Sequence, residues 1–214
     1  DFCGPSAQQE LRRHLRKRWP RYAAGADPVA QFIADLNAIG MDPSGFDAAT
    51  ALVFWLGGLP AERLAEGKTY QPAGFHADEA HPFQLGQPRT GPLFEFDPKR
   101  IDWASDHIWY RMDGPTSPPV VYFRAKKDPA TGRSVYAVNN VIAHFDYDPQ
   151  DTAVAYLDGG TASATPVWRN ADTFQIVHPG LDGIYGGPRT INDPNTWPVT
   201  ITGVNFLQGD FDNI

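Results

Sequence analysis

Apolar residues recur at helical spacing through the first sixty positions and at alternating or clustered positions beyond about position 92, and this change of period divides the chain. Leu11, Leu15 and Trp19 stand four apart and make one stripe of an amphipathic helix. Ser6 and Gln9 have capping-box spacing, so this helix is predicted to begin near Ala7, and Pro20 requires it to end before that residue. Asp27-Pro28 is a cap followed by a first-turn proline and opens a second helix running to about Ile39, ahead of Gly40. The third follows Asp47, where AATALVFWLGG reads as a buried helix closed by Gly57 and Gly58.

From Ala61 to Gly91 the pattern breaks into a long stretch rich in Gly, Pro and His, predicted as an irregular loop. Short apolar or alternating runs follow: PLFEFD, VVYFRA, SVYAV, TFQIV and TITGVNF. The intervening KKDPATGR carries Asp-Pro and Thr-Gly, and predicts a hairpin joining Val120–Ala125 to Ser134–Val138. Helices first and strands afterwards predict an α+β fold, with N-terminal helices packed on a C-terminal antiparallel β-sheet. The expected organisation is one domain over 1–214, with a helical part (1–60), a long loop (61–91) and a sheet part (92–214). No internal repeat is visible.

Composition adds loops to this picture. The 214 residues include 20 Gly and 20 Pro, close to a fifth of the chain, while hydrophobic (42%) and charged (20%) contents are those of an ordinary globular protein. A net charge of −7 argues against a general nucleic-acid or anionic-membrane partner. One segment opposes that average: RRHLRKR, Arg12 to Arg18, carries five permanent positive charges. Because Leu11, Leu15 and Trp19 take the inner stripe, Arg12, Arg13, Arg16, Lys17 and Arg18 fall on the outer faces, either as a solvated helix surface or as a contact for an acidic partner. The single cysteine, Cys3, permits no intrachain disulfide. The longest apolar run, Ala51–Leu59, is far shorter than a membrane span, and an opening at Asp1 instead of Met suggests a processed or truncated molecule.

Catalytic motifs are sparse. AEGKTY lacks the glycine that a phosphate loop requires, since Glu62 stands in its place, and Gly-x-Ser-x-Gly does not occur. His76, Asp78, Glu79 and His81 gather metal-competent groups within six residues, but His-x-x-x-x-His is not a standard zinc spacing, and such groups on a loop commonly face water. Glu95 and Asp97 stand two apart in a predicted strand and so share a face, yet nothing places a substrate over them. Two acidic clusters suit a hard cation better: Asp146, Asp148 and Asp151 in FDYDPQD, and Asp210, Asp212 and Asn213 in GDFDNI. A third acidic element is GLDGIYGG, where Asp182 sits between glycines directly after the TFQIV strand. Its carboxylate either caps the tight turn or joins the C-terminal acids around calcium.

Taken in order, LRRHLRKRWPRY, ATALVFWLGGLP, GPLFEFDPKRI and FQIVHPGLDGIYGG, with the closing GDFDNI as a weaker fifth, resemble the soluble part of prepilin-type or pseudopilin-like proteins of planctomycete bacteria, across nearly the whole chain. Members of that family carry a leader and a long hydrophobic anchor helix, and no such segment stands in this sequence. The resemblance implies a pilin-like head domain, exported to the periplasm or cell surface, that assembles with its own copies or with other components of type II secretion or a surface filament. In pseudopilins similar to the major type II secretion subunit a calcium ion pins the loop at the end of the sheet. That implies a calcium role for Asp182, Asp210 and Asp212.

The resulting expectation is a non-enzymatic structural subunit whose basic helix, through Arg12, Arg13, Arg16, Lys17 and Arg18, faces acidic surfaces of its neighbours. Removing those five charges from the net −7 leaves −12 on the rest of the chain, so the attraction is electrostatically sound within the screening length of about 10 Å. The alternative is a carbohydrate-binding or surface-adhesion module, for which six Trp, eight Tyr and thirteen Phe supply stacking platforms.

Overall fold

The computed structural model describes residues 5–64, 69–104, 107–114, 117–127, 130–132, 134–136, 153, 155, 157–159, 167–178, 180 and 185. They form three α-helices and a set of short antiparallel strand pairs, a mixed α+β fold. The chain falls into two compact units, Asp1–Tyr110 and Arg111–Ile214.

In the first unit the helices are α1 (Pro5–Arg18), α2 (Pro28–Ala38) and α3 (Ala48–Gly57). Leu11, Leu15 and Trp19 are buried, so the stripe read from the sequence is the docking face of α1. The Asp27 carboxylate accepts the Val29 amide at 3.2 Å, and Pro28 occupies the first turn of α2. The third helix is buried on most sides, through Ala49, Thr50, Leu52, Val53, Phe54 and Gly57, as a helix apolar all round must be. It stops at Gly58, whose φ of 82° lies in the left-handed region.

The core between these helices is aromatic. Phe32 and Phe83 ring centroids are 4.9 Å apart, Trp19 and Phe83 5.0 Å, and Phe54 and Phe75 5.5 Å, all edge-to-face. Phe75 and Phe83 come from the 61–91 stretch, so this segment closes the core as well as linking elements. It is tied down by backbone hydrogen bonds from Gly74 to Gly57 (2.9 Å), Leu59 to Gly74 (3.0 Å) and Ala73 to Leu59 (2.9 Å). The fully buried Tyr70 donates its hydroxyl to the Gly58 carbonyl, and burial pushes its phenol well above the ordinary value. Two short strands, β1 (Phe75–His76) and β2 (Arg89–Thr90), pair across the same stretch.

A further hairpin, β3 (Ile101–Ala104) with β4 (His107–Tyr110), packs its second strand against α3. Sequence reading placed a strand at PLFEFD instead. There the chain is irregular and ends in a 3-10 turn, Pro98–Arg100, capped by Asp97. The Leu93 and Phe94 amides both donate to the Leu56 carbonyl, which takes them out of any strand ladder.

The second unit contains β5 (Val121–Arg124), β6 (Lys126–Lys127), β7 (Ser134–Val135), β8 (Leu157–Gly159), β9 (Val167–Trp168) and β10 (Phe174–Val177). The KKDPATGR turn does make a hairpin, but through β6 and β7; β5 pairs with β10, Val121 opposite Val177 and Arg124 opposite Phe174. One face of that pair is buried through Val121, Phe123, Gln175 and Val177, while Phe174 and Ile176 on the other are exposed. The expected single sheet is, among the described residues, five separate two-stranded pairs. The TITGVNF run lies outside the described residues. Among the described residues no helix is long and apolar enough to cross a membrane.

Candidate functional site

The basic segment forms the outer face of α1, with the apolar stripe turned inward. Arg13, Arg16, Lys17 and Arg18 are exposed, and the Arg18 guanidinium lies 5.3 Å from the Trp19 ring centroid. Arg12 differs from the other four. Its Nε donates to Asp27 Oδ1 and its Nη2 to Asp27 Oδ2, each at 3.0 Å, a bidentate pair that ties α1 to the start of α2. The hydrogen bond from Arg12 holds the Asp27 carboxyl below the usual carboxylate range, with help from the Val29 amide, and Asp27 in turn raises the Arg12 guanidinium.

Arg12, expected as a partner-binding residue, therefore already has an acidic partner inside its own chain. Asp27 stands fifteen positions away, and only the packing of α1 on α2 brings the two together. Arg13, Arg16 and Lys17 make no hydrogen bond or ion pair among the described residues. A shallow hollow on this face is lined by Gln9, Glu10, Arg12, Arg13 and Arg16. Arginine stems give such a hollow an apolar floor while the guanidinium groups stay in water.

The second candidate region lies where β10 ends. His178 Nδ1 accepts the Gly180 amide at 3.0 Å, which places the ring proton on Nε2, and Nε2 stands 3.2 Å from Asp113 Oδ2. Gly180 follows with a φ of 80°, so the chain turns sharply at a position that favours glycine. Tyr185, in the same GLDGIYGG stretch, is buried and donates its hydroxyl to the Pro119 carbonyl just before β5. Gly180 and Tyr185, the two described residues of that stretch, are thus each held by a hydrogen bond. Neither Asp113 nor Pro119 could be linked to it from sequence spacing. Asp182, Asp210 and Asp212 lie outside the described residues, as do Asp146, Asp148 and Asp151.

The histidine-rich loop is a self-contained turn. Asp78 Oδ1 accepts the Ala80 amide at 2.9 Å, Asp78 Oδ2 stands 2.9 Å from His81 Nδ1, and the Asp78 amide donates to His76 Nδ1 at 3.1 Å. These contacts, led by the one from His81, hold the Asp78 carboxyl below its ordinary range. His76, Asp78 and His81 serve each other and the backbone, while Glu79 is exposed. Among the described residues no three of His, Cys, Asp or Glu converge on a metal position.

Glu95 and Asp97 are both exposed, in irregular chain and not on a strand, and Asp97 accepts the Lys99 amide at 3.0 Å. Of the tryptophans in the described residues, Trp19 and Trp168 are buried and Trp55, Trp103 and Trp109 half-buried. No protein-family model, curated protein or solved structure matches the chain.

Proposed function

We propose that the chain is a non-enzymatic structural subunit, a pilin- or pseudopilin-like head domain that is exported and works by assembly with its own copies or with other secretion components. The carrying observation is the pair of hydrogen bonds at Gly180 and Tyr185, the described residues on either side of Asp182 in the sequence. The strand β10 is followed by His178, whose ring accepts the Gly180 amide, and the Tyr185 hydroxyl donates to the Pro119 carbonyl beside β5. Anchored residues flanking a glycine-bracketed acidic segment after a strand are what the resemblance calls for. Calcium held by Asp182, Asp210 and Asp212 belongs to the same reading. The outward basic face of α1, with Arg13, Arg16, Lys17 and Arg18 open to solvent, supplies a surface for acidic neighbours.

Sedimentation velocity of the purified chain over a concentration series, with calcium and with EGTA, tests the reading. Concentration-dependent association supports it. A chain that stays monomeric throughout, with no calcium bound, removes it.

A further inference from the structure

Leu93 and Phe94 are the feature that packing does not explain. Leu93 is 75% exposed and Phe94 51%, the former the most exposed large apolar side chain among the described residues. Isolated exposed leucines are ordinary, but this pair is held in place. The amides of Leu93 and Phe94 both donate to the Leu56 carbonyl near the end of α3, at 2.7 and 3.1 Å. Phe94 also rests edge-on against Phe96, with centroids 4.7 Å apart, and Phe96 is buried against Tyr110 at 5.0 Å. The two apolar side chains are thus presented outward from a fixed backbone, which lowers the ordering cost of binding. Glu95 follows directly, exposed, and makes no hydrogen bond or ion pair among the described residues.

We propose that the Leu93–Phe94–Glu95 projection of one molecule docks into the hollow on the basic face of α1 of a second copy, lined by Arg12, Arg13 and Arg16. The inference rests on the reading of the chain as an assembling subunit and names the contact. Charge complementarity selects the occupant: Glu95 is an exposed carboxylate beside an apolar pair, and on the hollow Arg12, Arg13 and Arg16 outnumber the single carboxylate Glu10 over an apolar floor of arginine stems, although Arg12 and Arg16 also act on Asp27. In this contact Phe94 supplies an aromatic ring to which guanidinium groups are attracted. Arg12, braced by Asp27, forms a fixed wall of the hollow and is not itself the attracting charge. The two patches are different, so the contact is heterologous. Repeated from copy to copy it leaves one patch free at each end and propagates head to tail.

Sedimentation velocity on four proteins tests this: the unaltered chain, Glu95→Arg, Arg13→Glu with Arg16→Glu, and Leu93→Ser. The expected result is association in the unaltered chain, about tenfold or greater weakening in each charge variant alone, and recovery when the two charge variants are mixed, because the unaltered projection of one then meets the unaltered hollow of the other and the two reversed patches also face opposite charges. Leu93→Ser weakens association with no change in thermal midpoint. If the unaltered chain associates and neither charge variant nor Leu93→Ser alters it, this contact is wrong and assembly stands. If each charge variant weakens association but mixing restores nothing, the two patches do not meet. If the unaltered chain is monomeric at every concentration, the contact falls together with the assembly reading.

Discussion

Asp47 and Trp109, sixty-two positions apart, share one carboxylate between a helix cap and a strand. Asp47 Oδ1 accepts the Thr50 amide at 2.6 Å and caps α3, while Oδ2 accepts the indole N–H of Trp109 at 2.9 Å from β4. The buried Thr50 completes the junction by accepting the Ile108 amide on its hydroxyl at 3.1 Å. Asp47→Ala removes the cap and leaves the half-buried indole without its acceptor, so unfolding free energy falls by about 2–3 kcal/mol. Trp109→Phe keeps the cap and loses about 1 kcal/mol of hydrogen bonding. Urea unfolding of both variants and their combination measures the coupling, and strictly additive losses would show that the shared carboxylate is incidental.

Three carboxyls, Asp27, Asp42 and Asp78, are held below the usual range by hydrogen bonds from Arg12, Ser44 and His81 respectively. Each binds its proton more weakly in the folded chain than in the unfolded one. Their stabilisation is fully present above the unfolded carboxylate pKa near 4 and is lost as pH falls through the lower folded values, where the unfolded chain holds more protons. The urea midpoint is therefore expected to drop on acidification below about pH 4, and less steeply in Arg12→Gln, which no longer depresses Asp27. Because the Arg12–Asp27 pair is open to solvent, salt shrinks that difference. An identical acid limb in the variant would show that the pair contributes nothing.

Gly58 is predicted to be intolerant of any side chain. A Cβ there would stand 2.3 Å from the Gly74 backbone, and the φ of 82° is itself strained for other residues. Gly58→Ala should cost about 2 kcal/mol or more, and Gly25→Ala, with φ of 86° but open space around it, should cost less. Equal losses in thermal unfolding would place the whole effect in backbone strain and none in the close approach.

Calcium is tested by mass action. A ligand bound only by the folded state adds about 2.7 kcal/mol at a hundredfold excess over its dissociation constant. The expected outcome is a rise in thermal midpoint on replacing EGTA with calcium, absent in Asp182→Ala and reduced in Asp212→Ala. A flat response in the unaltered chain, with no metal in the isolated protein, leaves Asp182 as a turn residue.

The helices were legible because their signals are local: Asp27-Pro28 and Asp47 are caps within reach of the amides they accept, and Gly58 ends α3 where it stands. The β3–β4 hairpin was not, since Ile101–Ala104 and His107–Tyr110 are four-residue strands and their pairing to α3 goes through Thr50 and Asp47, far back in the chain. For β5, local turn chemistry pointed to the next strand, and burial chose β10 instead: Val121 opposite Val177 sets two fully apolar residues into the same core. The candidate site divides the same way. Periodicity put Arg13 and Arg16 on an outer face, but the capture of Arg12 by Asp27 and the tie from Tyr185 to Pro119 are tertiary contacts with no local signature.

The pairing of β5 with β10 sets an order of events during synthesis. Phe174 must meet Arg124 and Val177 must meet Val121, closing loops of fifty residues and more, so this ladder cannot form until the ribosome has passed position 177. The contacts from Asp47 to Trp109 and from Trp19 to Phe83 need only the first 110 residues, and the helices that carry them form from neighbours in the chain. The leading unit can therefore be compact while the trailing one is still emerging, and the hydrogen-bonding edge of β5 waits for β10.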